Sequence, residues 1–125
     1  MLTFKPWDVV KVPFPYLDRP VRQYRPGLVV AAGPPLAAHG LLWVLMITSA
    51  ENRRWDGDVV ISDLTKTGLP APSLVRCAKV ATIESREAKR VGTLPEDNRS
   101  EVDANLTRAI AAVAGRAASG DAKRR

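Results

Sequence analysis

Seven consecutive apolar residues, Leu41–Ile47 (LLWVLMI), closed by Thr48 and Ser49, constrain this chain more than any other feature. The run is far too short to span a bilayer, which takes about 20 residues. It offers neither the one polar face of an amphipathic helix nor the alternation of a half-buried strand. A central strand covered on both faces satisfies it, with Trp43 in the core. Weaker strand signals surround it, separated by turn residues: Trp7–Phe14, which alternates; Gly27–Ala32, behind Pro26; Asp58–Asp63; a long segment, Ser73–Ile83, expected to bend; and Val91–Leu94. Several short strands at regular spacing predict a small antiparallel barrel or sandwich. One helix follows. Val102, Leu106, Ile110 and Val113 form a stripe, Pro95 suits the first turn, Glu96 and Asp97 complement the dipole, and Gly115 is a stop.

The chain has 125 residues, 46% of them apolar, enough for one domain with a real core. Its single cysteine, Cys77, rules out an internal disulfide framework and suits a reducing compartment. Lys5, Pro6 and Asp8 stand where a signal peptide needs an apolar stretch. The expectation is a cytoplasmic protein with no membrane segment. The net charge of +6 is unevenly placed: residues 1–30 and the tail 116–125 (RAASGDAKRR) each carry +3, and residues 31–115 balance. The domain is expected to end at 115 and the basic tail to be flexible. Such charge suits a nucleic-acid partner, because Lys and Arg neutralise phosphates; it equally suits plain solubility.

Two long loops carry the remaining signals. Residues 15–25 (PYLDRPVRQYR) hold three Arg and two Tyr, and residues 50–57 (AENRRWDG) hold two Arg and Trp55. Arginine beside aromatics grips single-stranded nucleic acid through phosphate contacts and base stacking. At the end of the first loop, Pro26 locks its own φ and holds Arg25 extended at the mouth of a buried strand. That is a stiffly presented cation at a sheet rim.

Taken in order, DVVKVPFP, RP before a Val-rich strand, TS at the end of the central strand, and VRC in the late strand resemble the MazF/PemK (Kid-like) toxins of bacterial toxin–antitoxin systems. The likeness runs from Trp7 to the final helix. It implies a mainly β fold, a small SH3-like antiparallel β-barrel with a C-terminal α-helix, usually a homodimer. It implies metal-independent cleavage of single-stranded RNA, no cofactor, and neutralisation by a cognate acidic antitoxin. By position it assigns Arg25 and Thr48 to catalysis, and Arg19, Arg22, Gln23, Ser49 and Arg76 to RNA binding. The sequence departs from the pattern at two places: Trp7 stands where the family opens with Gly, and Ala78 replaces the acid of its Arg-Cys-Asp motif.

The chemistry is consistent with these residues. A 2′-hydroxyl attacking its own phosphate needs a base, an acid for the leaving 5′-oxygen, and positive charge on the phosphoryl oxygens. An Arg matches phosphate geometry bidentately, and Thr48 and Ser49 can hydrogen-bond the same group. His39, Asp18 and Glu51 are the candidate bases. Cys77 reads as a buried apolar residue, and Asp56 and Asp58, flanking Gly57, as turn residues. One Cys, one His and scattered acids give no metal-ligand cluster. Two other readings keep the fold: a CcdB-like toxin that poisons a protein target such as gyrase, and a degenerate relative that only binds antitoxin or RNA.

Overall fold

The computed structural model describes residues 3–13 and 23–114, except the side chains of Val113 and Ala114. Six strands form one antiparallel sheet: β1 (Asp8–Pro13), β2 (Tyr24–Ala31), β3 (Leu41–Ser49), β4 (Asp58–Val60), β5 (Ser73–Glu84) and β6 (Lys89–Thr93). The helix α1 (Glu96–Ala114) closes the described chain. The spatial order is β4-β5-β3-β2-β1-β6, which puts the apolar run in β3 between β5 and β2. Mainly antiparallel strands with one C-terminal helix match the expected class. The barrel is open, because no ladder joins β4 to β6. The turn after β4 spans part of the gap, where Thr93 N–H donates to the Lys66 carbonyl at 2.8 Å.

The sheet is covered on both faces. On one, Val9, Leu28, Leu45, Ile47, Val59 and Val75 pack beneath Val102 and Leu106 of α1. On the other, Val10, Val12, Val29, Leu42, Val44 and Ile83 form a second cluster. Fully burying one Val or Leu is worth about 1.5–3 kcal/mol. Asn98, 5% exposed, ties the helix start to the strand layer: Ser62 N–H and Oγ donate to its Oδ1, and its Nδ2 donates to the Val60 carbonyl.

Three expectations shift. Trp43 is not core: it is 42% exposed, at a groove between the sheet and α1 that Val80 and Ile110 also line. It follows Leu42 and precedes Val44, both buried, so the run is covered on both faces near its C-terminal end but not at Trp43. The helical stripe is likewise half used, with Val102 buried and Ile110 50% exposed. The strand behind Pro26 begins earlier, at Tyr24, because β1 pairs with Tyr24, Arg25 and Pro26 while β3 pairs only from Gly27. Proline has no N–H to give, and the ladder to β3 starts just past it. The expected bend in β5 is present. Leu45 pairs with Val80 but Met46 with Arg76, so Cys77, Ala78 and Lys79 are extra residues on the bulged strand.

Trp7 has φ 79°, the left-handed region that favours glycine, and it is the only non-glycine with positive φ among the described residues. Its backbone is fixed from both sides: its N–H donates to the Val29 carbonyl, and its carbonyl accepts from Leu94 N–H. The ring packs on the core with the Arg99 guanidinium 5.8 Å from its centroid.

Candidate active site

Arg25 and Thr48 lie near the same edge of the β2–β3 pair. The register Gly27–Met46, Leu28–Leu45, Val29–Val44, continued two residues past its last bond, sets Arg25 opposite Thr48. Alternation puts both on the face that carries Val29 and Val44, opposite the helix. Among the described residues the Arg25 guanidinium has few partners: its one hydrogen bond runs from NH2 to Gln23 Oε1 at 3.3 Å, and its Nε is buried and unpaired. An orphaned buried donor costs about 1–3 kcal/mol, and such groups concentrate where a ligand or strain is part of the function.

Thr48 is oriented by the loop that follows it. Asn52 Nδ2 donates to Thr48 Oγ1 at 2.6 Å. With an acceptor site taken, the hydroxyl proton is left to donate outward. The neighbouring Ser49 Oγ accepts from Glu51 N–H at 3.1 Å, which holds the Glu51 backbone to the end of β3. His39, by contrast, sits in the turn between β2 and β3, at the far end of both strands. The rise of β3 from Leu41 to Thr48, at about 3.3 Å per residue step, places it more than ~20 Å from the pair, which removes it as a base. Asp18, Arg19 and Arg22 lie outside the described residues.

Arg76 occupies the same face one diagonal step away, since its ladder partner Met46 lies two residues before Thr48. It is already committed. Its Nε and NH2 donate to the two oxygens of Asp58 at 3.2 and 2.9 Å, and NH2 also donates to the Arg53 carbonyl at 2.7 Å. The side chains are 9% and 2% exposed. The guanidinium also stacks on Trp55, 4.0 Å from the ring centroid. Asp58 is therefore more than a turn residue. It opens β4 and anchors the loop, its Oδ2 accepting from Trp55 N–H at 2.8 Å. A carboxylate that starts a Val-Val strand beside a central one was the available signal, and the Asp-Gly-Asp turn pattern masked it. Asn52, also unforeseen, carries no sequence signal beyond its distance of four residues from Thr48.

Among the described residues no three His, Cys, Asp or Glu side chains converge as metal ligands, and no helix is long and apolar enough to cross a membrane. Burial pushes the Cys77 thiol up to about 11, with the Asp58 and Glu101 charges adding to it.

Residues 5–110 match the model of the PemK-like, MazF-like toxins of type II toxin–antitoxin systems. The chain belongs to this family. No curated protein matches it significantly. Solved structures share its fold. One is an endoribonuclease in complex with its cognate antitoxin from a mycobacterial species, 14% identical, with a TM-score of 0.67 over 86% of this chain and 95% of that one. A second is MazF from Deinococcus radiodurans, 20% identical, with a TM-score of 0.65 over 84% and 94%. A third is the Mycobacterium tuberculosis toxin MazF-mt6, 24% identical, with a TM-score of 0.56 over 86% and 94%.

Proposed function

We propose that this family member is a metal-independent endoribonuclease that cuts single-stranded RNA in the cytoplasm, through the RNA's own 2′-hydroxyl, and that a cognate acidic antitoxin silences it. The observation that supports the reading is the register that sets Arg25, which makes one hydrogen bond among the described residues, across from Thr48, whose hydroxyl accepts from Asn52 and keeps its proton to donate. In the reaction a base takes the 2′-hydroxyl proton, the O2′–P bond forms and the P–O5′ bond breaks. A proton goes to the departing 5′-oxygen, leaving a cyclic phosphate and a 5′-hydroxyl. Arg25 neutralises the phosphoryl oxygens and Thr48 donates to them, while Ser49, which alternation turns to the other face, serves RNA binding at the strand end. Glu51, whose backbone is held at the end of β3, is the carboxylate assigned as base. Gln23 steadies Arg25. Arg19 and Arg22 draw in the RNA backbone, and the same positive charge attracts the antitoxin. Arg76 serves RNA binding from beside the groove. The working unit is a homodimer of residues 1–115, with the tail from 116 dispensable.

Arg25→Ala and Thr48→Val, assayed for cleavage of a single-stranded transcript in EDTA, test this. Loss of one stabilising donor typically costs about 10²–10³ in rate. Each variant is expected to lose at least that while keeping its melting temperature within a few degrees. Wild-type cleavage by a folded Arg25→Ala removes Arg25 from the catalytic pair, and growth inhibition without cleavage returns the protein-poisoning reading. Dependence on added magnesium removes the metal-independent mechanism. A chain ending at Gly115 and an Arg19→Glu/Arg22→Glu variant, titrated with an acidic antitoxin peptide at low and high salt, test the partner surface. The first should bind normally. The second should bind weakly, with less salt sensitivity than wild type.

A further inference from the structure

Trp55 is an odd residue to find in a loop of acids, amides and arginines. It stays 43% exposed although its neighbourhood is tightly built. Four contacts fix the loop. Asp58 accepts Trp55 N–H, and Asp58 N–H donates back to the Trp55 carbonyl at 3.1 Å. Asn105 of α1 donates to the Gly57 carbonyl, and Arg76 donates to that of Arg53. The Arg76 guanidinium lies against the indole and is itself held by both oxygens of Asp58. These contacts hold an exposed aromatic surface in one fixed orientation.

We infer that Trp55 is a nucleobase-stacking site for the strand cut between Arg25 and Thr48, and that the Arg76–Asp58 pair is the brace that sets its plane. The inference rests on the RNA-cleaving reading and names a contact for that site. Three observations point to a base. The platform is a rigid π-face, the surface every base stacks on whatever its sequence. Arg53 and Arg54 are exposed in the same loop, where a strand's phosphates run alongside its bases. The loop leaves β3 directly at Thr48 and Ser49, and Arg76 is a diagonal cross-strand neighbour of Thr48. A nucleotide flanking the scissile phosphate therefore meets Trp55 without a detour. Arg76 is a positioning residue here. Its own charge is spent on Asp58, and a guanidinium behind the indole also polarises it.

The test uses the full chain and Trp55→Leu, which keeps apolar bulk without a π-face, Trp55→Phe, which keeps the face, and Arg76→Met. Cleavage of a mixed-sequence single-stranded transcript gives kcat and KM. Fluorescence quenching by a random-sequence 2′-O-methyl oligonucleotide pool, which cannot be cut, gives binding. Trp55→Leu should raise KM roughly tenfold, the usual scale of one stacked base, and leave kcat within about threefold. Trp55→Phe should restore most of the loss, and wild-type quenching should vanish in Trp55→Leu. Arg76→Met should raise KM like Trp55→Leu. A folded Trp55→Leu with wild-type KM overturns the inference while the nuclease reading stands. So does a variant that loses only binding to an acidic antitoxin peptide, which makes Trp55 a protein contact. If wild type does not cleave, the nuclease reading fails; quenching that depends on Trp55 then still supports stacking, and its absence overturns both.

Discussion

Replacing Asp58 with Ala should cost this fold about 3 kcal/mol, through a neighbour rather than through the volume removed. The Arg76 guanidinium, 9% exposed, keeps one hydrogen bond to the Arg53 carbonyl when both carboxylate oxygens go. Removing one partner of a buried pair leaves an uncompensated charge, at about 3–5 kcal/mol. The lower end applies because stacking on Trp55 and the slight exposure relieve part of it. The Trp55 N–H also loses its acceptor. Against a total of roughly 5–15 kcal/mol, a loss of 3 lowers the melting temperature by about 10 °C in a chain this size. Pairing Asp58→Leu with Arg76→Met should recover most of that, since apolar groups can replace a buried pair at little net cost. Thermal and urea unfolding of wild type, Asp58→Leu, Arg76→Met and their double give the cycle. The coupling should survive 0.5 M salt, because buried pairs are poorly screened. A single that costs under about 0.5 kcal/mol, or a double as unstable as the two singles summed, refutes the reasoning.

Other outcomes follow from particular contacts. A Cβ on Gly92 would lie 2.3 Å from the Thr67 carbonyl carbon and 2.4 Å from the Lys66 oxygen; Gly92→Ala should therefore cost about 1–3 kcal/mol in urea unfolding. Trp7→Ala keeps the left-handed backbone and loses the packing, whereas Trp7→Gly loses only the packing. The glycine variant should unfold later by about 1 kcal/mol despite its smaller side chain. Cys77, 3% exposed, should resist alkylation at pH 8 until denaturant is added. Its thiol is raised from 9.0 to about 11 in the fold, so the unfolded chain ionises first. Its contribution to stability should fall as pH rises from about 9 towards 11, and a Cys77→Ala variant should show a shallower alkaline decline. Glu51→Gln, which removes the assigned base, should slow cleavage by about 10²–10⁴.

Where the sequence could be read, it was read through backbone constraints. The apolar run of β3, the Pro-locked entry to β2 and the bend in β5 each follow from chemistry within a few residues. Trp43 was misplaced for a reason of the same kind. A run without alternation shows that both faces are mostly covered, but not which residue faces a groove that the helix only partly fills. Trp7 illustrates the converse. The sequence shows the departure from the family's Gly; only the fold shows that the position has φ 79°, so that an indole sits where the backbone favours glycine.

The site was legible as residue types and illegible as partners. Arg25 and Thr48 could be named because each marks the point where a strand leaves the core. Their pairing depends on the β2–β3 register, which no local signal gives. Arg76 shows the consequence. As sequence it is a cation in a strand, free for phosphate. In the fold, β4 lies on the far side of β5 and brings Asp58 against it, so the same cation spends its charge on a carboxylate and its flat face on Trp55. A short strand of three residues thereby satisfies Arg76, while Arg25 makes one hydrogen bond among the described residues; on the proposed reading it is Arg25, not Arg76, that meets the anion directly.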